Sequence, residues 1–476
     1  MSIITNTVLK DVGKAFSLKG KDDTKMFDDL WEVYQVGNKY KRDHKKELAD
    51  AVEEAYDTIV NIASRTGKAS KHGLKRVGDT TYQKLVIFSD HHMTHRHHRH
   101  DYFFQFNFKL YLELLEKYEG DGFALVENGD VEELLIFDPT PNEAEKRRKL
   151  VTKPLLINDI GKINWDELNG TRLEQRRKIL ERLFNDNDDY YQRVKKFGKG
   201  RYYKISGNHD TYSSGELEGM IENQYWDGII LDALRVLGKA TGGTAVNFVI
   251  THGHQFDESC VAPHAAKVGE VISECLSWAF QGPDRIWTTS DTHKWTSDQK
   301  KEFGNVLSSE HAFSTKDKAL EMFLECFMGH EVAWEYFENS DPYMAFVKEV
   351  CTGDEFFKYR HMNENNLANA LLKKWKSKTG ELPTVICGHT HEARHRSRFT
   401  NTTSVIPPGT NDKNLFTKYM NTGSAGRFQN LVWCIEIVNG EATVYSWTNS
   451  GTKDNIRLKK TKWESNGTGK LIGKDV

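Results

Sequence analysis

The sequence predicts an α/β fold, and three observations carry that expectation. Five short runs rich in β-formers, KLVIFS (84–89), FALVEN (123–128), RYYKIS (201–206), AVNFVIT (245–251) and PTVICG (383–388), are each followed at once by Asp, Gly or His. Segments with helical character, 102–118 and 171–186, lie between them. Polar residues gather at the C-terminal ends of the runs, where α/β proteins build their sites.

Taken in order, residues 1–80 read as an N-terminal helical arm. Phe27, Leu30, Trp31 and Tyr34 share one helix face, and Leu48, Val52, Ala55, Ile59 and Ile62 repeat the spacing behind the charged stretch KYKRDHKKE. Packing helices with a solvated basic face are the plain reading, and a partner-binding or oligomerising arm is the other. Residues 81–255 hold four of the five strands. Residues 256–382 read as a large helical insertion, with helices expected at 319–337 and 366–378. Its aromatic stripes suit a self-packed subdomain, compatible with a lid or an oligomerisation element. The core resumes over 383–450, where Asn439-Gly440 between apolar runs predicts a hairpin. Residues 451–476, rich in Lys and Gly, read as a frayed C-terminal tail.

Composition excludes several classes. Across 476 residues, 66 Lys and Arg face 68 Asp and Glu, which argues against a chain coated for nucleic acid. An aromatic content of 11% argues against wholesale disorder. No stretch approaches the ~18 consecutive apolar residues of a membrane helix. The start lacks an apolar run behind a basic one, and the six cysteines form no C-x-x-C pair, so a cytoplasmic protein with reduced thiols is expected.

Chemistry concentrates in five motifs after the five runs. They are Asp90-His91-His92; Gly129-Asp130 with Glu133; Gly207-Asn208-His209-Asp210; His252-Gly253-His254; and Gly388-His389-Thr390-His391. Converging strand tips would bring two aspartates, an asparagine and several imidazoles into one cleft. Such a mixed oxygen and nitrogen set suits Mn, Fe, Zn or Ni better than Ca or Mg. It exceeds what one tetrahedral ion uses, whereas two divalent metal ions bridged by an aspartate would use it all. The lack of nearby cysteine argues against a structural zinc.

The ordered set D-x-H, G-D-x-x-E, G-N-H-D, H-G-H and G-H-T-H resembles the calcineurin-like metallophosphoesterases. The resemblance covers roughly residues 84–254 and 383–447, and Tyr419 with Asn421-Thr422-Gly423-Ser424 is similar to the family's segment after the last histidines. It implies a two-sheet sandwich flanked by helices. It also implies that Asp90, His92 and His391 hold one metal, that Asn208, His252 and His389 hold the other, and that Asp130 bridges, with a water or hydroxide between the ions. Mn is the favoured ion. His209 would face the substrate phosphate, with Asp210 orienting it through the other ring nitrogen, and Glu133 would support the shell. His254 joins Glu133 among the supporting candidates.

The stretch THRHHRHD (94–101) departs from the family's small loop. It reads either as a solvated loop or as a substrate-facing wall, which makes His95 and His97 candidate contacts. Arg394, just past the last motif, could likewise grip an anion. The expected function is therefore hydrolysis of a phosphate mono- or diester of a small molecule or nucleotide. A metal-dependent DNA nuclease is the first alternative, with nucleic acid a less favoured partner. A non-catalytic scaffold of the same fold is the second. A homo-oligomer is compatible with the arm and the insertion.

Overall fold

The computed structural model describes residues 45–63, 74–94, 107–135, 165–198, 200–210, 215–225, 230–240, 243–257, 260, 383–391, 393–395, 418–426, 430–452, 454–465 and 471–476. In chain order these form α1 (Lys45–Ala63), β1 (Val77–Thr80), β2 (Lys84–Phe88), α2 (Phe108–Gly120), β3 (Ala124–Asn128), α3 (Trp165–Asp186), α4 (Asp188–Lys195), β4 (Tyr202–Ile205), α5 (Gly215–Tyr225), β5 (Ile230–Leu231), β6 (Ala233–Ala240) and β7 (Gly243–Ile250). A 3-10 turn at His254–Phe256 follows. Then come β8 (Thr384–Cys387), β9 (Ala393–His395), β10 (Tyr419–Thr422), β11 (Val432–Val438), β12 (Glu441–Asn449), β13 (Leu458–Ser465) and β14 (Leu471–Asp475). All five runs singled out in the sequence are strands.

The strands make two mixed sheets, so the class is α/β. The eight-stranded sheet has the order β14-β13-β12-β11-β2-β3-β4-β5, and the six-stranded sheet β1-β6-β7-β8-β10-β9. Strands β2 to β5 run parallel, joined through helices, while β11 to β14 form an antiparallel meander against β2. In the other sheet β7, β8 and β10 are parallel. Parallel neighbours end on the same side, which is what gathers the motifs.

Strand β2 shows why the apolar runs are continuous rather than alternating. Leu85 and Ile87 point into a core shared with Val126, Phe248, Ile250, Ile386 and Trp433, which fills the space between the sheets. Val86 and Phe88 point the other way, into a core with Tyr111, Leu114, Leu180, Tyr190 and Leu217 from α2 to α5. Both faces are buried, so both sets are apolar. Helix α1 covers the outer face of the six-stranded sheet, with Val52, Ala55, Ile59 and Ile62 against Leu237, Val249 and Val385. Truncating the fully buried Ile59 to Ala would cost about 2–5 kcal/mol.

Two terminal stretches differ from what composition suggested where they are described. Of the expected arm, only residues 45–63 and 74–80 are described, and these pack on the core. Helix α1 is one of the layers, and β1 pairs in parallel with β6. The face expected around Phe27 to Tyr34 lies outside the described residues. Residues 451–476 are not a frayed tail, since β13 and β14 extend the eight-stranded sheet. Trp463 is buried against Trp433 with ring centroids 5.0 Å apart, while Lys460 reaches Glu436 at 2.6 Å. Lysines on the solvent side of an outer antiparallel strand look like a disordered tail in composition alone. The hairpin forms as expected, with Asn439 (φ 51°) and Gly440 (φ 85°) left-handed. The insertion 256–382 lies outside the described residues beyond Phe256, Asp257 and Cys260. Among the described residues, no helix is long and apolar enough to cross a membrane.

Candidate metal centre

The first two motifs are held side by side because β2 and β3 keep pairing past their ends. Asp90 N donates to Gly129 O at 3.1 Å, His92 N to Asp130 O at 2.9 Å and Met93 N to Val131 O at 2.7 Å. The third motif joins through Leu134 N to His209 O at 3.2 Å, and the fourth meets the fifth through Gly388 N to His252 O at 2.9 Å. The segment after β10 closes the frame. Asn421 Nδ2 donates to Gly388 O at 2.7 Å, and Ser424 Oγ donates to Asp90 O at 2.7 Å.

These turns are sharp. Asp90 (φ 55°), His92 (50°), Asp130 (53°), His389 (68°) and His391 (61°) all adopt the left-handed region that residues other than glycine seldom enter, Asn, Asp and His least rarely. The only other non-glycine residues there, among those described, are Asn430 and Asn439. Two motif glycines are needed for close approach. A Cβ on Gly207 would fall on Oδ1 and N of Asp130, and one on Gly388 on Ser89 Oγ, with Asp90 Oδ2 behind it.

Four donor groups result among the described residues; two follow the expected ligand sets, a third joins His92 and Asp130 to His209, and a fourth joins His389 to Asp257 and Cys260. Asp90, His92 and His391 offer ligand atoms within 4.8 Å of one another, and so do Asp130, His252 and His389. In the first, Nε2 of His92 and Nε2 of His391 face each other at 3.0 Å, with Asp90 Oδ1 3.3 Å from the latter. In the second, His252 Nε2 lies 3.1 Å from Asp130 Oδ2 and 3.2 Å from Asn208 Oδ1. Asp130 Oδ2 stands between the groups, 3.9 Å from His92 Nε2. It is buried and makes no well-aligned hydrogen bond among the described residues. A buried carboxylate oxygen amid imidazole nitrogens fits a cation.

Ring orientation is set from outside. His252 Nδ1 donates to the Asn128 carbonyl at 2.8 Å, and His92 Nδ1 donates to Glu133 Oε2 at 2.9 Å, so each turns Nε2 inward. Glu133 does more than support. The same Oε2 accepts His209 Nδ1 at 2.8 Å, so one carboxylate orients a donor of the first group and the substrate-facing candidate. That corrects the role expected for Asp210. Its carboxylate instead accepts the backbone N–H of Gly207 and, at 3.2 Å, of Val131, with Lys204 Nζ 4.0 Å away. Adjacency in sequence misled here, because the turn at 207–210 folds Asp210 back onto its own backbone.

Electrostatics follow the same geometry. Burial pushes Asp90 up, but the His391 and His252 imidazoles outweigh it and hold the acid at about 2. Asp130 and Glu133 are also buried, and their histidine neighbours hold both below the usual carboxylate range. Burial works against charged His252, yet Asp130 and Asp90 raise it to about 9. His209 rises to about 10 against the same burial, chiefly through Glu133 and Asp130. Asp210 goes the other way, up to about 6, because burial and Asp130 outweigh Lys204. Without a metal, the buried carboxylates thus recruit protons on histidine as counter-charge.

The remaining candidates divide. His254 sits behind the second group, its ring centroid 5.5 Å from that of His252, and burial with the His252 and His389 neighbours holds it well below the usual imidazole range. Arg394 lies in β9 opposite Asn421, with its side chain outside the described part of the structure. His95 and His97 lie outside the described residues. Sequence reasoning missed Asp257, whose Oδ2 is 3.2 Å from His389 Nε2, and the buried pair of Lys204 and Glu132 at 2.6 Å. Position three after His254 was a signal for Asp257. No protein-family model, curated protein or solved structure matches the chain.

Proposed function

We propose that the protein is a dinuclear metal-dependent phosphoesterase that hydrolyses a phosphate mono- or diester, and that the arrangement is the sandwich of the calcineurin-like metallophosphoesterases. One observation carries the reading: two three-residue donor groups at strand tips from both sheets, with Asp130 Oδ2 between them. Asp90, His92 and His391 would hold one divalent ion, and Asn208, His252 and His389 the other, with Asp130 shared. Two such cations would acidify a water molecule and offset charge on the phosphoryl oxygens, with Mn the favoured ion.

The chain supplies the rest. Asn208 is neutral, so it fills a ligand position without adding to the two buried aspartates, and the pocket stays attractive to an anion. His209 keeps 22% of its side chain exposed beside the donor groups, its pKa raised by Glu133 in the metal-free protein. It can therefore donate a proton to a leaving alkoxide oxygen. Glu133 and the Asn128 carbonyl keep the imidazoles aimed during that transfer.

The test is to measure Mn content and turnover of a phosphomonoester, a phosphodiester, a nucleoside diphosphate conjugate and single-stranded DNA. Asp130→Ala is expected to lose metal and turnover together, whereas His209→Ala keeps metal and loses rate by about 10²–10⁴-fold, the usual contribution of a general acid. Full metal content in Asp130→Ala would sink the assignment, and cleavage of DNA alone would move it to a nuclease.

A further inference from the structure

The turn leaving the fourth motif carries a second donor cluster that the dinuclear reading does not use. After the 3-10 turn at His254–Phe256, Asp257 O accepts the backbone N–H of Cys260 at 2.9 Å. That hydrogen bond holds the backbones of Asp257 and Cys260, three residues apart in sequence, close together. Asp257 Oδ2 lies 3.2 Å from His389 Nε2. Donor atoms of Asp257, Cys260 and His389 all fall within 4.8 Å of one another, and the three residues are partly buried.

We propose that Asp257, Cys260 and His389 form a thiolate-containing site for a thiophilic divalent cation, zinc in preference to manganese, and that filling it withdraws His389 from the dinuclear pair. Zinc takes sulfur at about 2.3 Å and imidazole or carboxylate at about 2.0–2.2 Å, so neighbouring donors on a tetrahedral ion sit roughly 3.4 Å apart. The 3.2 Å between His389 and Asp257 already matches that spacing. A thiolate selects zinc, whereas manganese prefers carboxylate, carbonyl and water. Cys260 therefore distinguishes this cluster from the donor groups beside it, none of which includes a cysteine.

The consequence follows from imidazole chemistry. A neutral imidazole carries one lone pair and one N–H, so it serves one cation at a time. His389 belongs to both groups. Zinc held by Asp257 and Cys260 thus takes a ligand from the second ion and acts as a brake. The binding half stands on the cluster alone, and only the braking half rests on the phosphoesterase reading.

The test uses the full-length protein in two arms. Metal-free protein is titrated with cobalt and followed by absorption, with zinc affinity measured by chelator competition. Mn-loaded protein is assayed on p-nitrophenyl phosphate with rising zinc, each variant normalised to its own zinc-free rate. A thiolate-to-cobalt charge-transfer band is expected. It should vanish in Cys260→Ser and in Cys260→Ala, with zinc affinity at least tenfold weaker and half-inhibition shifted to at least tenfold more zinc. Asp257→Asn should weaken zinc in the same direction, and circular dichroism checks that each variant is folded. A band that survives both cysteine substitutions, or zinc affinity within twofold of the parent, overturns the site. Weaker zinc binding with unchanged inhibition keeps the site and overturns the brake. Absence of phosphoesterase activity leaves the cobalt and chelator readouts to decide the site unaided.

Discussion

Replacing Glu133 with Gln changes one atom and breaks two roles at once. Oε2 of Glu133 accepts from His92 Nδ1 at 2.9 Å and from His209 Nδ1 at 2.8 Å, while Oε1 accepts Leu135 N at 2.9 Å. The side chain is 1% exposed, so water cannot substitute. Glutamine keeps one acceptor oxygen, and whichever way it turns, an NH2 group faces an N–H. A hydrogen bond to a charged group contributes about 1.5–3 kcal/mol, so losing the charge from two and setting donor against donor in the third should cost roughly 2–3 kcal/mol. At about 1.4 kcal/mol per decade that is roughly 30–150-fold, divided between metal affinity through His92 and rate through His209. Mn affinity is read by chelator competition and kcat on p-nitrophenyl phosphate at saturating metal. The pH profile adds a signed check. Glu133 is the main group raising His209 to about 10, so its neutralisation lowers that pKa. A rate that needs protonated His209 then falls off at lower pH than in the parent. Affinity and kcat both within threefold of the parent, with an unmoved alkaline limb, would refute the reasoning.

Three further outcomes are expected. Saturating the parent with Mn at 100 times its dissociation constant should stabilise it by about 2.7 kcal/mol per site, and Asp130→Asn should erase that shift in a thermal melt. Metal binding at neutral pH should release protons, because His252 is raised to about 9 in the metal-free protein and must give up its inward proton. Calorimetric heats that do not change between buffers of different ionisation enthalpy would contradict this. Lys204→Met should destabilise the fold by about 3–5 kcal/mol, since it leaves Glu132 buried beside Asp210 without its cation; a denaturant midpoint close to the parent's would count against it.

The strands and the motif residues were legible because both obey short-range rules. Leu85 to Phe88 are apolar at every position since both faces of the strand are buried there, and the polar residue after them marks where the sheet ends. What stayed hidden depended on turns. Asp210 beside His209 suggested a pair, yet its oxygens cap Gly207 and Val131, while Glu133, 76 residues away, takes the imidazole. The lysines of β13 hid a strand whose one buried ring, Trp463, is its anchor. Helix α1 showed its apolar face in sequence, but nothing in that periodicity said which sheet it would cover.

The backbone holds the donor residues of the proposed centre in place at a cost. Five donor residues sit in left-handed conformations, three of them histidines, which gain nothing there from a short side chain. Such a residue costs on the order of 1 kcal/mol, so the five together cost roughly 5 kcal/mol against a typical stability of about 5–15. A protein under no demand to aim these side chains inward has glycine or asparagine available at every one of the five positions. The frame that enforces the strain is also specific. Gly207 and Gly388 leave no room beside Asp130 and Asp90, and Asn421 and Ser424 lock the loops from behind. All five donors are strained and converge, the arrangement that the proposed binding of cations would use.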